Sequence, residues 1–564
     1  MVKEADYLIT VFDKYSNQSV LPIFQGKARW ESKQLKEFFN TLINNNYPYY
    51  SEIKLYANSE DISVFGTSLI IDGQQRMTSY SLCVLACCAY CKKHDLNYNW
   101  EEDLYYKVII NKKYSGTERY RLKLQENDNI AYQTCVENLE HSEDSKNFNP
   151  KIKNDEETLS IIIDNYNYLY GLIDETNIKR VYYSLQKAQV RCTELEPTDN
   201  LREIFFASNN AGLPLGLEEN IKAILLYGYS TEDELQVQIY NKYWKPLEDY
   251  FYPLRQTSLF TEFLVSFIQF NRKNLVPTTA LDYFLNFQYD SDKCKEILEK
   301  IYDYFICFKK VHNSNFKDRD VRDVLHFLNA YANSYVYTMI ISTWEICENS
   351  NDSFIDCLRL ISTHIFRNWL SSANLSDSIR RVFNLKRMYS AYNLHDELIT
   401  QIKYSDFYVN DKSFKKGFLE HTAKKSNHKE QQRQKYALVM IVKADSGEER
   451  FDFTNTSLEH INPQKPKRIP DNMIREEYEQ YCYSFRNLTL IPLKCNNKLS
   501  NREYEEKRDL EGCGYEYSKM DINQHLAKNE HFYKKEMDDW GLYLFKKALN
   551  IWSFDKDLKQ TKLI

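Results

Sequence analysis

Residues 457–463 read SLEHINP, which places an acidic residue and a histidine side by side where a short apolar run ends. Residues 485–491, FRNLTLI, form a second apolar run that carries Asn487, and Asn496 follows in the next segment. Two short strands followed by a helix would bring these side chains to one place. The pattern therefore predicts a ββα-metal site, in which two strands and a helix surround one divalent cation.

Each residue type in this pattern matches one task in the hydrolysis of a phosphodiester bond. We expect His460 to deprotonate the attacking water and Asn487 to orient the loop and the histidine. Glu459 and Asn496 would hold the cation, and a carboxylate with an amide suits Mg²⁺ or Mn²⁺ better than structural zinc. A lone histidine on an apolar strand is more often an ordinary core residue. The combination with the two asparagines is what favours a catalytic site.

Basic residues cluster around these motifs, as contacts with nucleic-acid phosphates require. The alternative is an ordinary solvated charged face. The candidate phosphate contacts are Lys465, Lys467, Arg468, Lys494, Lys498, Arg502 and Lys507.

A second candidate site follows the apolar run ISVFGTSLII at residues 62–71. There Asp72-Gly73-Gln74-Gln75-Arg76 leads into a helix that we expect to begin near Met77. A strand, a tight loop and a helix N-terminus bind anions, because the free N–H groups and the helix dipole face the ligand. Gly73 would let the backbone approach, and Arg76 would offer a forked cation to phosphate. The alternative is that Asp72 caps the helix and Arg76 forms a salt bridge.

A third polar segment interrupts a helical pattern at residues 209–214, NNAGLP, and a second helix is expected from Glu218 to Leu226. Asn209 could present its amide to a nucleotide or a nucleic-acid strand. The segment could equally be a helix C-cap and turn.

Composition bounds the class of protein. The 564 residues carry a net charge of −6, so overall basicity does not indicate a nucleic-acid-binding protein, and only local clustering can. The 13 cysteines are an odd number without a paired CxxC framework, and Cys83, Cys87, Cys88 and Cys91 are expected to be buried reduced thiols. No signal peptide or run of 18 apolar residues occurs, which predicts a cytoplasmic protein without a membrane span.

Most of the remaining chain has a helical pattern. Aromatic-rich helical faces run from Thr231 to about Leu419, and we expect them to form a core. Residues 421–435, HTAKKSNHKEQQRQK, predict a linker or the exposed start of a helix. The tail from Lys519 to Trp552 predicts two helices.

In these motifs the sequence resembles the GmrSD-like restriction endonucleases of phage defence, over roughly residues 15–225 and 430–545. The matching N-terminal residues are Asp72 to Arg76, Thr78, Ile204-Phe205, Asn209, Gly212, Pro214-Leu215, Pro22 to Gln25 and Trp30. The matching C-terminal residues are Glu459-His460-Ile461, Pro463-Gln464, Asn487 to Leu490, Asn496, Asn501 and Lys507.

The resemblance implies a multidomain, predominantly α-helical protein. Its parts would be an N-terminal α+β ParB/sulfiredoxin-like nucleotidase domain (1–230), a helical middle domain (231–429) and a C-terminal ββα-metal (HNH) nuclease domain (430–564). An NTP, either GTP or ATP, would bind at Asp72, Gly73, Gln74, Gln75, Arg76, Thr78 and Asn209. The resemblance also implies DNA as the substrate and either a homodimer or a second defence-system subunit as the partner.

Two departures from the family pattern are visible. The family has Gln-Arg after its proline strand where this chain has Gln25-Gly26, so the arginine is displaced to Lys27 or Arg29, or the nucleotidase is weakened. The family has Gly before the asparagine of Asn-Leu-Thr-Leu, where this chain has Arg486. The second change removes no ligand.

The function expected from these motifs is an NTP-regulated, metal-dependent DNA endonuclease of the type IV restriction kind, acting on foreign phage DNA with or without modified bases. One alternative is a subunit that senses nucleotide or DNA and carries a vestigial nuclease. Another is an RNA-directed abortive-infection nuclease, since cleavage of DNA and of RNA shares the phosphodiester chemistry.

Overall fold

The structure is a computed structural model. It describes residues 5–14, 17–26, 30–57, 66–141, 148–153, 161–196, 198–210, 216–226, 234–254, 257–275, 280–285, 290–350, 352–423, 427–446, 455–467, 469–470 and 473–554. The chain is 64% helical, as expected of a predominantly α-helical protein. None of the described helices is long and apolar enough to span a membrane.

The strands form two sheets. A six-stranded mixed sheet has the order β1-β6-β3-β4-β2-β5, and a separate antiparallel pair joins β7 to β8. The strands are β1 Asp6–Tyr7, β2 Gln18–Val20, β3 Tyr49–Ala57, β4 Thr67–Asp72, β5 Leu122–Lys123, β6 Gln189–Leu195, β7 Thr456–His460 and β8 Leu488–Pro492.

The helices fall into three runs along the chain. The first run is α1 Leu8–Lys14, α2 Ser32–Asn44, α3 Gln74–Lys93, α4 Tyr106–Val108, α5 Glu126–Glu140, α6 Ile161–Gly171, α7 Ile178–Lys187, α8 Leu201–Asn210 and α9 Leu217–Leu226. The second is α10 Glu234–Ile239, α11 Lys245–Phe251, α12 Thr257–Asn271, α13 Ala280–Leu285, α14 Ser291–His312, α15 Arg319–Asn329, α16 Ser334–Glu348, α17 Phe354–Leu370, α18 Leu375–Val382, α19 Leu385–Tyr389, α20 Leu394–Lys403 and α21 Asp411–Glu420. The third is α22 His428–Ser446, α23 Arg475–Cys482, α24 Leu493–Leu499, α25 Tyr504–Arg508, α26 Asp521–Leu526 and α27 Lys534–Ile551.

The described chain divides into two compact units. Unit 1 comprises residues 1–257 and 281–299, and unit 2 comprises residues 258–280 and 300–564. The three-domain division expected from the sequence stays a prediction. Its boundary between residues 429 and 430 falls inside α22, which runs without a break from His428 to Ser446.

Helix α3 is the centre of the core of unit 1. Every residue from Met77 to Cys91 is buried, because the helix is apolar or small on all sides and packs against α5, α6 and α7. The four cysteines expected to be buried thiols all lie on this helix and are unbridged. The helix begins at Gln74, three residues before the predicted start, so most of the polar loop is its first turn.

Strand β3 is the main element of unit 1 that the sequence did not predict. Its residues YYSEIKLYA mix charged with apolar side chains, but Ile53 and Leu55 are fully buried, whereas Lys54 between them and Tyr56 after them are not. The strand pairs in parallel with β6 and antiparallel with β4. It therefore lies directly beside the strand that leads into Asp72.

Unit 2 contains a disulfide that the sequence did not indicate. Cys495 and Cys513 are joined, and their Cα atoms lie 5.4 Å apart. The bond ties α24 to the turn before Tyr515.

Candidate functional site

The SLEHINP stretch begins as a strand and ends in a turn. Strand β7 ends at His460 and pairs antiparallel with β8, with His460 opposite Leu488 and Glu459 opposite Thr489. Helix α24 follows β8 directly and carries Asn496. Two antiparallel strands and a helix therefore bring Glu459, His460 and Asn496 to the wall of one cavity of about 650 Å³, which we call the nuclease cavity.

Glu459 is not exposed to the cavity as a free carboxylate. Its side chain is 6% exposed, and Oε1 lies 2.6 Å from Nζ of Lys507, whose side chain is 1% exposed. Burial raises the pKa of Glu459, and the neighbouring lysine partly opposes that rise. The same Nζ donates to the backbone carbonyl of His460 at 2.6 Å. One ammonium group therefore holds both the carboxylate and the end of β7.

This burial corrects the expectation that Lys507 contacts nucleic-acid phosphates. A side chain that is almost wholly enclosed and paired to a carboxylate cannot lie along a phosphate backbone. The spacing of charges along the sequence does not reveal burial, so Lys507 looked like its exposed neighbours.

His460 is half-buried at the cavity wall. Its Nδ1 lies 3.3 Å from Nε2 of Gln464, an amide group that can only donate, so Nδ1 is the acceptor. The ring of Tyr483 meets the imidazole edge to face, with the centroids 5.4 Å apart. Gln464 is exposed, so a water molecule can replace it at Nδ1 without opening the core.

Asn487 lies behind the cavity and touches no solvent. Its Oδ1 accepts from the backbone N–H of Asn462 at 2.8 Å, and its Nδ2 donates to the carbonyl of Asn462 at 3.0 Å. Its own carbonyl accepts from the N–H of Ile461 at 2.8 Å. These bonds fix the two residues after His460. Asn487 is accordingly a positioning residue, because its burial keeps it from touching a substrate.

One wall of the nuclease cavity comes from the segment that the sequence predicted to be a linker or the exposed start of a helix, and the structure shows the helix. Helix α22 lines the cavity with His428, Gln431, Gln432 and Lys435. Their spacing of three and four positions is that of one helical face, and this was the signal that could have revealed it.

The other predicted phosphate contacts are on the surface. Lys465 lines the cavity, and Asn501 holds its backbone by accepting from its N–H at 3.1 Å and donating to its carbonyl at 2.6 Å. Lys467 is exposed and its Nζ lies 3.5 Å from Glu506. Lys494, Lys498 and Arg502 are exposed on and just after α24. Arg468 lies outside the described residues.

In unit 1, the polar loop is reduced to a single residue. Strand β4 ends at Asp72, Gly73 adopts a left-handed conformation with φ +93°, and α3 starts at Gln74. The first i→i−4 bond of the helix joins the N–H of Met77 to the carbonyl of Gly73, so the N–H groups of the first turn point out of the helix end. No side chain of the described residues caps this end, so Asp72 is not the cap.

The side chains of this first turn are partly engaged with the protein. Arg76 lies 3.9 Å from Asp72 and donates to the carbonyl of Glu52 on β3 at 2.7 Å, so it is salt-bridged as the alternative supposed. Gln75 accepts from the N–H of Trp30 at 3.3 Å. Oε1 of Gln74 is buried and has no hydrogen-bond partner among the described residues.

The two remaining nucleotide candidates are placed less favourably. Thr78 is 6% exposed on the buried side of α3. Asn209 lies near the end of α8, but its side chain is outside the described part of the structure, as are residues 211–215 and residues 27–29 with the displaced cations.

Sequence reasoning missed Lys54 beside this loop, and it named Gln25 only as part of the family resemblance. Lys54 on β3 is 21% exposed, and its Nζ donates to Oγ of Ser208 on α8 at 2.9 Å. Gln25 is buried and donates to the carbonyls of Ile70 and Ile71, the two residues that precede Asp72. Lys54 could have been found only by recognising β3 as the neighbour of β4.

Two family models match the chain. The model described as the N-terminal domain of the GmrSD restriction endonuclease matches residues 8–226, which include the Asp72–Arg76 loop. The model described as the C-terminal domain of GmrSD restriction endonucleases matches residues 396–547, which include the nuclease cavity. No curated protein matches the chain. With both domain models matched in order, the chain belongs to the GmrSD-like family of restriction endonucleases.

Proposed function

We propose that this protein is a divalent-metal-dependent DNA endonuclease of the HNH kind, which cuts or nicks phage DNA under the control of an NTP bound at residues 72–76. Membership of a restriction endonuclease family implies DNA as the substrate. The observation that carries the proposal is the nuclease cavity itself. It brings Glu459 and His460 of β7, Lys465 of the turn that follows and Asn496 of α24 to one cavity.

The donors at the cavity fit one hard divalent cation. Glu459 and Asn496 supply one carboxylate and one amide oxygen beside open space, and Mg²⁺ keeps several water ligands and needs few from the protein. With Oε1 paired to Lys507, the second carboxylate oxygen would be the ligand. When bound, such a cation would stabilise the charge that develops on the phosphate oxygens.

The chain's own residues have distinct tasks in this proposal. His460 takes the proton of the attacking water at Nδ1. Before that water binds, the exposed Gln464 donates a hydrogen bond to Nδ1. Asn487 keeps the turn after His460 in place through its two bonds to Asn462. Lys465 meets a phosphate at the cavity mouth. Lys507 pairs with the Glu459 carboxylate and orients it within the core.

For the NTP, the support is the helix start at Gln74. A 20-residue helix whose first turn is capped by no described side chain presents N–H groups to an anion, and Gly73 leaves the approach open. Arg76 and Lys54 are partly exposed cations that both contact Glu52, Arg76 through its backbone carbonyl and Lys54 through its carboxylate. GTP and ATP both satisfy this chemistry.

The nuclease assignment is tested with His460→Ala in the full chain. We expect the variant to bind DNA like the parent and to lose Mg²⁺-dependent nicking of plasmid. His531→Ala is the matched control, because His531 is an exposed histidine of the same unit that does not line the cavity. Nicking by His460→Ala at the parental rate would refute the assignment.

The substrate and the cation are tested in the same assay. We expect EDTA to abolish cutting, and phage DNA to be cut in preference to RNA of the same sequence. Binding of DNA without any cutting, with or without metal, would identify a sensor with a vestigial nuclease. Preferential cutting of RNA would identify an abortive-infection nuclease.

The nucleotide assignment is tested with Arg76→Ala, which we expect to lose phosphate release from GTP or ATP. Arg180→Ala is the control, since Arg180 is an exposed arginine of α7 in the same unit. Unchanged phosphate release by Arg76→Ala would leave residues 72–76 as a structural turn.

A further inference from the structure

A second cavity of unit 2, of about 380 Å³, has no role in the proposed nuclease. It lies where the end of α15, the end of α17 and the start of α22 meet, and we call it the tryptophan cavity after Trp369. Helix α22 lines it with Lys429, Glu430 and Arg433, whereas His428, Gln431, Gln432 and Lys435 line the nuclease cavity. Two different faces of one helix therefore line the two cavities.

Three residues of the tryptophan cavity have buried polar atoms with no hydrogen-bond partner among the described residues. They are Oη of Tyr331, Nε1 of Trp369 and Nε2 of His421. Tyr331 is 1% exposed and Trp369 is 5% exposed, so bulk water does not satisfy them. Buried polar groups in native proteins are nearly always paired, and three orphans around one cavity indicate that a ligand belongs there.

The charge of the cavity indicates the kind of ligand. Arg433 is half-buried, and its guanidinium lies 5.0 Å from the ring of Tyr331 and 6.0 Å from that of Trp369. Its only hydrogen bond in the described structure runs from Nε to the carbonyl of Ala330, and neither Arg433 nor Lys429 has a carboxylate within ion-pair distance there. Glu430 acts electrostatically on Arg433 and Glu262 acts on Lys429, and Glu262 already accepts from the N–H of Ser334 at 2.5 Å.

Two cations, an indole N–H and a phenol O–H therefore line this cavity, and Glu430 is the carboxylate among its lining residues. An arginine fork, an ammonium group, an indole N–H and a phenol O–H match the oxygens of a phosphate group. Aromatic rings under an arginine also suit the flat face of a base, and the volume lies at the small end of the range for ligand pockets.

We propose that the tryptophan cavity binds a phosphate-bearing ligand of the size of one nucleotide, held by Arg433 and Lys429. The ligand could be a free mononucleotide or a nucleotide at the end of a strand, since both present the same phosphate and base.

The test is equilibrium binding to the full chain, with inorganic phosphate, AMP and a short single-stranded DNA as probes. Arg433→Met and Lys429→Met remove each charge while keeping much of the side-chain length. We expect each to weaken the binding of AMP at least tenfold. Arg359→Met and Lys416→Met are the matched controls, because both residues are paired cations of unit 2 outside the cavity.

Residues 72–76 are intact in the parent and in every variant. A difference in ligand binding between a variant and the parent therefore arises at the tryptophan cavity and not at residues 72–76. If Arg433→Met fails to fold because Ala330 loses its donor, Lys429→Met still decides, since Lys429 is exposed. AMP binding tighter than that of inorganic phosphate would support a base contact as well as a phosphate contact. If the variants weaken the binding of single-stranded DNA as much as that of AMP, a DNA strand is identified as a source of the ligand. Binding of all three probes at the parental affinity by both variants would overturn the proposal.

Discussion

Lys507 shows how much a single side chain changes the meaning of the Glu459-His460 pair. A carboxylate that is 6% exposed needs a partner, because an isolated buried charge is strongly unfavourable. The ammonium of Lys507 provides that partner and at the same time fixes the carbonyl of His460. The proposed base and ligand are thereby held before any cation or substrate binds.

The first prediction follows from this pair. Lys507→Met should lower the free energy of unfolding by roughly 3–5 kcal/mol, the usual cost of leaving one half of a buried ion pair. Urea unfolding followed by circular dichroism measures it. The double variant Lys507→Met, Glu459→Gln should regain most of the stability, because no unpaired charge remains, but should not cut DNA. A double variant as unstable as the single one would show that the ion pair is not the cause.

A second prediction at this scale concerns His364 on α17, which is fully buried with an unpartnered Nε2. Desolvation lowers its pKa to about 3. The His364 side chain therefore stays neutral in the folded protein, whereas in the unfolded chain it takes up a proton below pH 6.5. Its contribution to the free energy of unfolding is fully present above pH 6.5 and is lost as the pH drops toward 3. The slope contributed by this one group is at most about 1.4 kcal/mol per pH unit.

Replacement of the group should remove that slope. Between pH 7 and pH 5, the free energy of unfolding should fall by about 2 kcal/mol less in His364→Leu than in the parent. Urea midpoints at both pH values measure it, with the exposed His141→Gln as control. Identical pH dependence in His364→Leu and the parent would contradict the prediction.

At the scale of elements, the junction of β4 and α3 depends on the strand beside it. Gly73 has φ +93°, and a Cβ there would lie 2.8 Å from Cγ1 and 3.2 Å from Cα of Ile53 on β3. The glycine therefore serves both the left-handed turn and the close packing of two strands.

The third prediction separates these two demands. Gly116 also has a positive φ, +61°, but a Cβ there would meet nothing within 4 Å. Gly116→Ala should cost roughly 1 kcal/mol for the backbone alone, and Gly73→Ala should cost at least about 1 kcal/mol more. Thermal unfolding of both variants measures the difference, and phosphate release should be lost only in Gly73→Ala. Equal destabilisation of Gly73→Ala and Gly116→Ala would show that Ile53 can move away from the new Cβ without a loss of stability.

At the scale of the whole molecule, a chain with a net charge of −6 is proposed to bind a polyanion. Local charge must then outweigh the overall repulsion, which salt screens beyond about 10 Å at 0.1 M. The exposed cations around α24 are close together along the chain, whereas the acidic excess is spread over 564 residues.

The fourth prediction is that Lys494→Ala, Lys498→Ala and Arg502→Ala each weaken DNA binding for every sequence. Each should reduce the slope of log affinity against log salt by about 0.9, since one counterion fewer is released. Fluorescence anisotropy over a salt series measures the slope. Lys416→Ala on α21 is the control, and slopes unchanged from the parent in all three variants would contradict a phosphate contact at α24.

Local features of the candidate sites were predictable from the sequence because they depend on neighbours along the chain. A strand, a glycine and a helix in succession follow from residues 67–93, and the strand-strand-helix order follows from residues 456–499. The predominance of helices between Thr231 and Leu419 follows from apolar periodicity, and the structure agrees. The mixed composition of β3 hid a strand that lies between β4, which the sequence did indicate, and β6, which is distant along the chain.

The sequence by itself determined which residue types stand at the ends of β4 and β7, and so which chemistry those ends can support. Only the tertiary structure decided that Lys507 pairs with Glu459, that β3 lies against Gly73 and that α22 walls the nuclease cavity. Each of these contacts joins residues that are 20 or more positions apart. Packing of whole elements sets such distances, and the same packing removes a charge from solvent or leaves it exposed, which no local pattern of charges encodes.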